Sequence, residues 1–183
     1  MSYKMATSCI SALMSDEVRQ PDSSSQGDTV PSYAFEDMTV GQIFEFKGIY
    51  RVSRDEIIEF ARKYDPQPFH VDESAASKTM YGGLIASGWH TSAIAMRLMC
   101  DGFMNQSTGI GSPGVDELRW VRPVRPDDEL TGYMEVLEVR PSRSKPDRGS
   151  IKHKVIITNQ KDEVVMTFIG ITMMRRREIL DQA

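Results

Sequence analysis

An aspartate and a histidine five positions apart are the side chains of this sequence best suited to chemistry. They lie in the segment Phe60–Asp72, where Asp65 is followed by two prolines and then by His70. A carboxylate and an imidazole that are held close together can move protons to and from a substrate. Because proline fixes φ and disfavours helix in the residue before it, the prolines predict a stiff connection between the two groups.

A metal site is the alternative use of these residues. Asp65, His70 and Asp72 all carry possible ligands for a metal ion. No further cluster of histidine or cysteine completes a ligand set, and the sequence therefore predicts no bound metal.

A serine followed by a glycine forms the second candidate feature. Ser87 is a suitable N-cap for the helix that follows, and Gly88 would then lie in its first turn with a free backbone N–H. The positive end of the helix dipole favours negative charge there, as on an oxyanion that forms during a reaction. Spacing alone also allows a simpler role, a glycine needed for close packing.

Sequence patterns predict the helices that position these residues. Ser53 and Glu56 have the spacing of a capping box, and the apolar residues after them predict a helix over 54–64 that ends at Asp65. Asp72 predicts the N-terminus of a short helix through Ser77. A longer helix is predicted from Ser87 to about Phe103; apolar residues lie nearly all round it, which predicts a buried helix.

Strands are predicted before and after these helices. The alternation of apolar and polar residues predicts strands over 43–50, 115–124, 129–139, 151–159 and 163–175, with a polar loop over 140–149. One buried helix with strands joined by short hairpins indicates the α+β class.

Composition limits the classes of protein to which this chain can belong. Its 183 residues, 40% of them hydrophobic, predict one domain over 31–177, with a polar N-terminal tail over 1–30 and a C-terminal end over 178–183. A net charge of −4 argues against binding to nucleic acid. Two cysteines, Cys9 and Cys100, cannot form a disulfide framework and suit a reducing cytoplasm, and no apolar run predicts a membrane span.

The segment 60–72 resembles the signature of the MaoC-like dehydratases, which include the R-specific enoyl-CoA hydratases of the hot-dog fold. The resemblance covers roughly residues 31–175 and implies a curved antiparallel sheet wrapped around a central buried helix, usually in a homodimer. It implies that Asp65 and His70 are the catalytic pair. Gly88, eighteen residues after His70, would supply the amide that binds the thioester oxygen. The family reaction implies an acyl-CoA substrate and no metal or redox cofactor.

The sequence departs from the family pattern near the substrate. Many members have histidine where this chain has Ser87, and some hydratases have a serine near the substrate where this chain reads Ala95-Met96-Arg97-Leu98. Ser87, Trp89 and Met96 are candidates for contact with the substrate; core packing is the simpler interpretation of the methionine. His90 is more typical of a hydrogen-bonded core residue than of a catalyst.

Four basic residues in the predicted loop are candidates for binding phosphate. They are Arg140, Arg143, Lys145 and Arg148. Arginine side chains can bind the phosphates of CoA, and Arg143 and Arg148 are the predicted contacts. A solvated charged loop is the alternative interpretation.

Together with the family resemblance, these residues predict the reversible hydration of a 2-enoyl-CoA. The resemblance implies a (3R)-hydroxyacyl-CoA as the product and a homodimer or a higher homo-oligomer. Two alternatives remain open. A hot-dog thioesterase would cleave the acyl-CoA, and a non-catalytic hot-dog subunit would bind acyl-CoA without turnover.

Overall fold

A seven-stranded antiparallel sheet and one long helix form the body of the protein. The computed structural model describes residues 31–177. The segments 1–30 and 178–183, predicted as the tail and the C-terminal end, lie outside the described residues. Within residues 31–177, no helix is both long and apolar enough to cross a membrane.

Four α-helices follow one another between the second and the third strand. They are α1 (Arg54–Tyr64), α2 (Pro68–Val71), α3 (Glu73–Ser77) and α4 (Gly88–Gly102). The three longer ones match the predicted helices, and Asp72 caps α3 by accepting a hydrogen bond from the Ala75 N–H at 2.9 Å. The single turn α2 was not predicted, and its place in the site is described below.

The strands are β1 (Ile43–Glu45), β2 (Tyr50–Arg51), β3 (Gly109–Gly111), β4 (Val115–Trp120), β5 (Glu129–Pro141), β6 (Arg148–Thr158) and β7 (Val164–Arg175). Their order in the sheet is β1-β5-β6-β7-β3, with β2 also paired to β5 and β4 also paired to β7. All of these pairings are antiparallel.

The predicted strand over 43–50 is wrong in its extent. Gly48, with a φ of 95°, interrupts it, so that β1 and β2 are separate short strands on β5. The predicted loop over 140–149 is also shorter, because β5 continues to Pro141 and β6 begins at Arg148. Cross-strand pairing, which a single segment does not reveal, extends both strands of this hairpin.

One face of α4 packs against the apolar face of the curved sheet and forms the core with it. Ile94, Leu98 and Met99 of α4 belong to the same buried cluster as Ile151 and Val155 of β6. The curved antiparallel sheet around a central helix confirms the predicted α+β hot-dog architecture.

The prediction that α4 is buried all round is wrong. Trp89 and Met96 are 59% and 48% exposed, and Ala93 and Arg97 are exposed beside them. The sheet covers only one side of the helix. The other side forms an open surface of the chain.

His153 on β6 is buried in the core without a hydrogen-bond partner for either ring nitrogen among the described residues. Burial lowers its pKa to about 4. An unfolded chain takes up this proton near pH 6.5, whereas the folded protein resists it until about pH 4. We therefore expect the free energy of unfolding to fall as the pH drops from 6.5 to 4, by about 3 kcal/mol from this group.

Denaturant unfolding at a series of pH values between 7 and 4 measures this effect. The matched variant is His153→Leu, which removes both unpaired nitrogens and should lose less stability over the same pH interval. Equal losses in the two proteins would show that His153 is not the titrating group.

Candidate active site

The N-cap and the apolar side of α1, the helix that ends at Asp65, fix its start and its position against the core. The Ser53 hydroxyl accepts a hydrogen bond from the Glu56 N–H at 3.2 Å, as predicted for the cap of α1. The other half of the predicted capping box is absent, because the Glu56 carboxylate binds Tyr50 and His90 instead. Ile57 and Ala61 are fully buried and hold α1 against the core.

Asp65 lies at the end of α1 and His70 lies in the single turn α2. The Asp65 N–H donates to the Ala61 carbonyl at 2.8 Å, and the chain then leaves the helix. Pro68 occupies the first position of α2, where its missing N–H costs no hydrogen bond. The segment between Asp65 and His70 was predicted as a stiff connection, but from Pro68 onward it forms this helical turn. His70 is consequently held by a helix and not by a loop.

The carboxylate of Asp65 and the imidazole of His70 face each other. His70 Nε2 lies 3.5 Å from Asp65 Oδ2, and His70 is almost completely buried. The other ring nitrogen, Nδ1, lies 2.8 Å from the Ile85 carbonyl oxygen. A carbonyl only accepts, so Nδ1 carries a proton and donates it. In neutral His70, the lone pair of Nε2 therefore faces Asp65.

Two polar side chains orient the carboxylate of Asp65. The Ser87 hydroxyl donates to Oδ2 at 2.6 Å, and the Gln67 amide donates to Oδ1 at 2.8 Å. The bond from Ser87 is the largest cause that lowers the pKa of Asp65 below its ordinary value, and partial burial opposes it. Gln67 and the nearby His70 lower the pKa further. Asp65 is thus a carboxylate at neutral pH, ready to accept a proton.

Gly88 begins α4 directly after Ser87. Within residues 31–177, its N–H has no hydrogen-bond acceptor, as is usual for the first position of a helix. A Cβ on Gly88 would lie 2.5 Å from the ring of Trp120. The close-packing role is therefore real, and it leaves the N–H free for the predicted role in binding an oxygen.

Asp65, His70, Gly88 and Trp89 line one cavity of about 660 Å³. Aromatic and apolar side chains from several segments also line it: Tyr64, Phe69, Tyr81, Trp120, Val121 and Val124. Ser87 lies fully buried behind the wall and acts on the cavity through Asp65. The structure thus brings together the predicted pair, the predicted glycine and Trp89.

Met96 and the basic residues of the loop lie elsewhere. Met96 is on the open side of α4 and does not line this cavity. Arg143 and Arg148 line a second cavity, of about 450 Å³, at the tip of the β5–β6 hairpin. There Arg148 makes a two-pronged salt bridge to Asp147, with N–O distances of 2.9 and 2.6 Å.

The pairing of the strands shows how far apart the two cavities are. Trp120 of the first cavity pairs with Met166 of β7, whereas Arg148 pairs with Arg175. Arg175 lies nine positions after Met166 along β7, which is about 30 Å of extended chain. Arg143 and Arg148 therefore do not reach the Asp65 cavity of their own chain.

The described residues offer no convergent ligand set for a metal ion. Between positions 31 and 177, no group of three or more His, Cys, Asp or Glu side chains is arranged to hold one. Asp72, the third candidate ligand in the sequence, caps α3.

Comparison with known families identifies the family of this chain. Residues 36–159 match the family described as MaoC like domain, which is most of the described chain. The chain belongs to the MaoC-like dehydratase family. Family membership supports a hydratase or dehydratase enzyme in general terms.

Relatives of known sequence or structure share this domain. A MaoC-like dehydratase from Rhodospirillum rubrum superposes with a TM-score of 0.74 at 42% identity, over 79% of this chain and 97% of that one. The uncharacterized protein YdeM of Bacillus subtilis is 40% identical over 128 residues, 69% of this chain and 88% of its own length. The R-hydratase PhaJ1 of Pseudomonas aeruginosa shares the fold, with a TM-score of 0.63 at 24% identity, over 79% of this chain and 86% of that one.

Two residues of the candidate site were not predicted from the sequence. Gln67 holds the second oxygen of Asp65, and its position between the two prolines, beside Asp65 and His70, was the available signal. Trp120 lies against Gly88 but follows it by 32 positions in the chain, so no local pattern pointed to it.

Proposed function

We propose that the protein catalyses the reversible addition of water to a 2-enoyl thioester, giving a 3-hydroxyacyl thioester. The observation that carries the proposal is the pair of proton acceptors, Asp65 Oδ2 and His70 Nε2, 3.5 Å apart on the wall of one cavity with Gly88. Two acceptors at this separation can both bind one water molecule, which has two hydrogens to donate. The family resemblance supports CoA as the thiol and the R configuration at C3.

The reaction needs one proton removed and one returned. In our proposal, Asp65 and His70 hold the water, and one of them accepts its proton while the oxygen bonds to C3 of the substrate. The electrons of the C2–C3 double bond move to the thioester oxygen, forming an enolate. A proton is then delivered to C2, and the carbonyl is restored. None of these steps requires a metal or redox cofactor.

In this scheme the Gly88 N–H binds the enolate oxygen. Its N–H begins a fifteen-residue helix, where the helix dipole favours negative charge. A preorganised donor stabilises the enolate more than the neutral substrate, which lowers the barrier. The ring of Trp120 packs against Gly88 and shields this position from part of the solvent, and a lower local dielectric strengthens the interaction.

A homodimer is part of the proposal and rests on exposed apolar surface. Within the described chain, β4 pairs on one side only, with β7. Val115 and Trp120 of β4 are about half exposed, as are Trp89 and Met96 on the open side of α4. Contiguous apolar surface beside an unpaired strand edge favours association. A second subunit would offer a route by which Arg143 and Arg148 could bind the CoA phosphates of a thioester held at Asp65. Light scattering of the purified chain measures its mass in solution.

A spectrophotometric assay tests the proposed reaction. We expect the absorbance of the enoyl thioester to decrease with at least one member of a panel of short, long, branched and dicarboxylic 2-enoyl-CoAs. No free thiol should appear in a parallel colorimetric assay. Thiol release without hydration would identify a thioesterase, and binding of the panel without either reaction would identify a non-catalytic acyl-CoA-binding subunit. A cytoplasmic location remains a prediction from the two cysteines.

A further inference from the structure

A second polar cluster lies beside the proposed site and plays no part in the reaction described above. Glu56 of α1 accepts hydrogen bonds from the Tyr50 hydroxyl and from His90 Nε2, the latter at 3.1 Å. The Phe60 ring stacks on His90 with 4.7 Å between ring centroids and 12° between the planes. His90 in the first turn of α4 therefore contacts two successive turns of α1.

His90 is an unfavourable residue for simple packing. It is only 2% exposed, and its Nδ1 atom is buried without a hydrogen-bond partner among the described residues. A buried nitrogen without a partner costs free energy that an apolar side chain at the same position would avoid. Burial and the bond to Glu56 also raise the pKa of Tyr50 to about 12. Tyr50 thus remains a donor to Glu56 at any physiological pH.

The cluster joins α1, which ends at Asp65, to α4, whose N-cap Ser87 binds the Asp65 carboxylate. Glu56 is in the first turn of α1, and Asp65 ends that helix nine residues later, about 14 Å along its axis. Ser87 and His90 lie at the start of α4, so the bond from Ser87 to Asp65 joins the same helices at the opposite end of α1. Burial of Ile57 and Ala61 attracts α1 to the core but is non-directional. The hydrogen bonds of Glu56 are directional and fix the rotation of α1 and its position along α4.

We infer that His90 and Glu56 are positioning residues, which hold α1 against α4 so that Asp65 stays within reach of the Ser87 hydroxyl and of His70. Neither side chain touches the reacting atoms. This inference rests on the proposed function for its kinetic consequence. Its structural consequence, the bond between Ser87 and Asp65, does not depend on the reaction.

The variants that test this role break the cluster without touching the Asp65 cavity. Glu56→Ala removes the acceptor for both hydrogen bonds, and His90→Phe keeps an aromatic ring on Phe60 but removes the donor. Glu56→Gln retains an oxygen for Tyr50 and His90 and should restore most of the activity. Glu59→Ala is the matched control, because Glu59 is exposed on the same helix and has no hydrogen-bond partner between residues 31 and 177.

We expect Glu56→Ala and His90→Phe to lower kcat roughly ten- to a hundredfold, because small displacements of a catalytic group have effects of this size. KM should change less than kcat, since neither residue lines the substrate cavity. The acidic limb of the kcat profile should move to higher pH, because Asp65 loses the hydrogen bond that lowers its pKa. Glu59→Ala should match the wild type in all three measurements.

A double-mutant cycle with Ser87→Ala separates positioning from general destabilisation. Once the Ser87 hydroxyl is removed, Glu56→Ala should shift the acidic limb no further. An equal additional shift in the Ser87→Ala background would overturn the inference, and so would an unchanged acidic limb in Glu56→Ala alone.

Titration of the Asp65 carboxyl carbon by NMR gives the same answer without catalysis. The Asp65 pKa should rise in Glu56→Ala and in His90→Phe, and not in Glu59→Ala. If the wild type hydrates no thioester while these shifts are observed, the proposed function fails and the positioning role stands. If the wild type is an active hydratase and the Asp65 pKa is unchanged in both variants, the positioning role fails and the function stands.

Discussion

Asp65→Asn is expected to lower the turnover of enoyl-thioester hydration by about 10²- to 10⁴-fold, the usual contribution of a general acid or base. The amide has nearly the shape of the carboxylate, and its oxygen can still accept the hydrogen bond from Ser87. It carries no charge and cannot accept a proton from water near neutral pH. The loss should therefore fall on kcat, and the melting temperature should remain close to that of the wild type.

Asp72→Asn is the control for this experiment. Asp72 lies seven positions after Asp65 and caps α3 through the Ala75 N–H, outside the lining of the cavity. Asparagine caps helices about as well as aspartate, so both stability and turnover should be retained. Turnover near that of the wild type in Asp65→Asn would exclude Asp65 as a proton acceptor and would leave His70 as the base to test.

Local signals in the sequence located α1 and hence Asp65. Ser53 at the N-cap, apolar residues at helical spacing and the proline after Asp65 all act within a few residues of one another, and the structure agrees with each of them. The same holds for Asp72 at the start of α3 and for Ser87 at the start of α4. Helix ends are predictable here because the groups that satisfy their backbone atoms are neighbours in sequence.

Contacts between distant segments could not be predicted in this way. The hydrogen bond from Ser87 to Asp65 joins residues 22 positions apart, and nothing near either residue reports the other. Glu56 illustrates this limit of local patterns, because the capping box predicted a hydrogen bond between its carboxylate and the Ser53 N–H. The tertiary partners Tyr50 and His90 compete successfully for the same carboxylate.

The position of the basic loop in the fold also could not be predicted from the sequence. Charge alone made Arg143 and Arg148 reasonable candidates for binding CoA phosphates, and arginine chemistry still permits this. Only the pairing of β6 with β7 shows that the loop lies at the far end of the sheet from Trp120. Composition identifies which residues can bind an anion, whereas strand register determines which cavity they face.

The second large effect is expected at His70. His70→Ala removes Nε2 from the site and should also lower turnover by about 10²- to 10⁴-fold. It should in addition destabilise the fold by about 1–3 kcal/mol, because the buried Ile85 carbonyl loses the Nδ1–H that it accepts at 2.8 Å. A loss of activity in this variant alone would therefore not distinguish a catalytic role of His70 from its role in folding.

His70→Asn separates these two effects. The amide nitrogen of asparagine can occupy nearly the position of Nδ1 and donate to the Ile85 carbonyl, but asparagine has no atom in the position of Nε2. We expect this variant to unfold at nearly the denaturant concentration of the wild type and to be as inactive as His70→Ala. Retention of more than a tenth of the wild-type turnover in His70→Asn would show that the proton does not pass through Nε2. The role of His70 would then be limited to fixing α2 against Ile85, with Asp65 acting alone on the water.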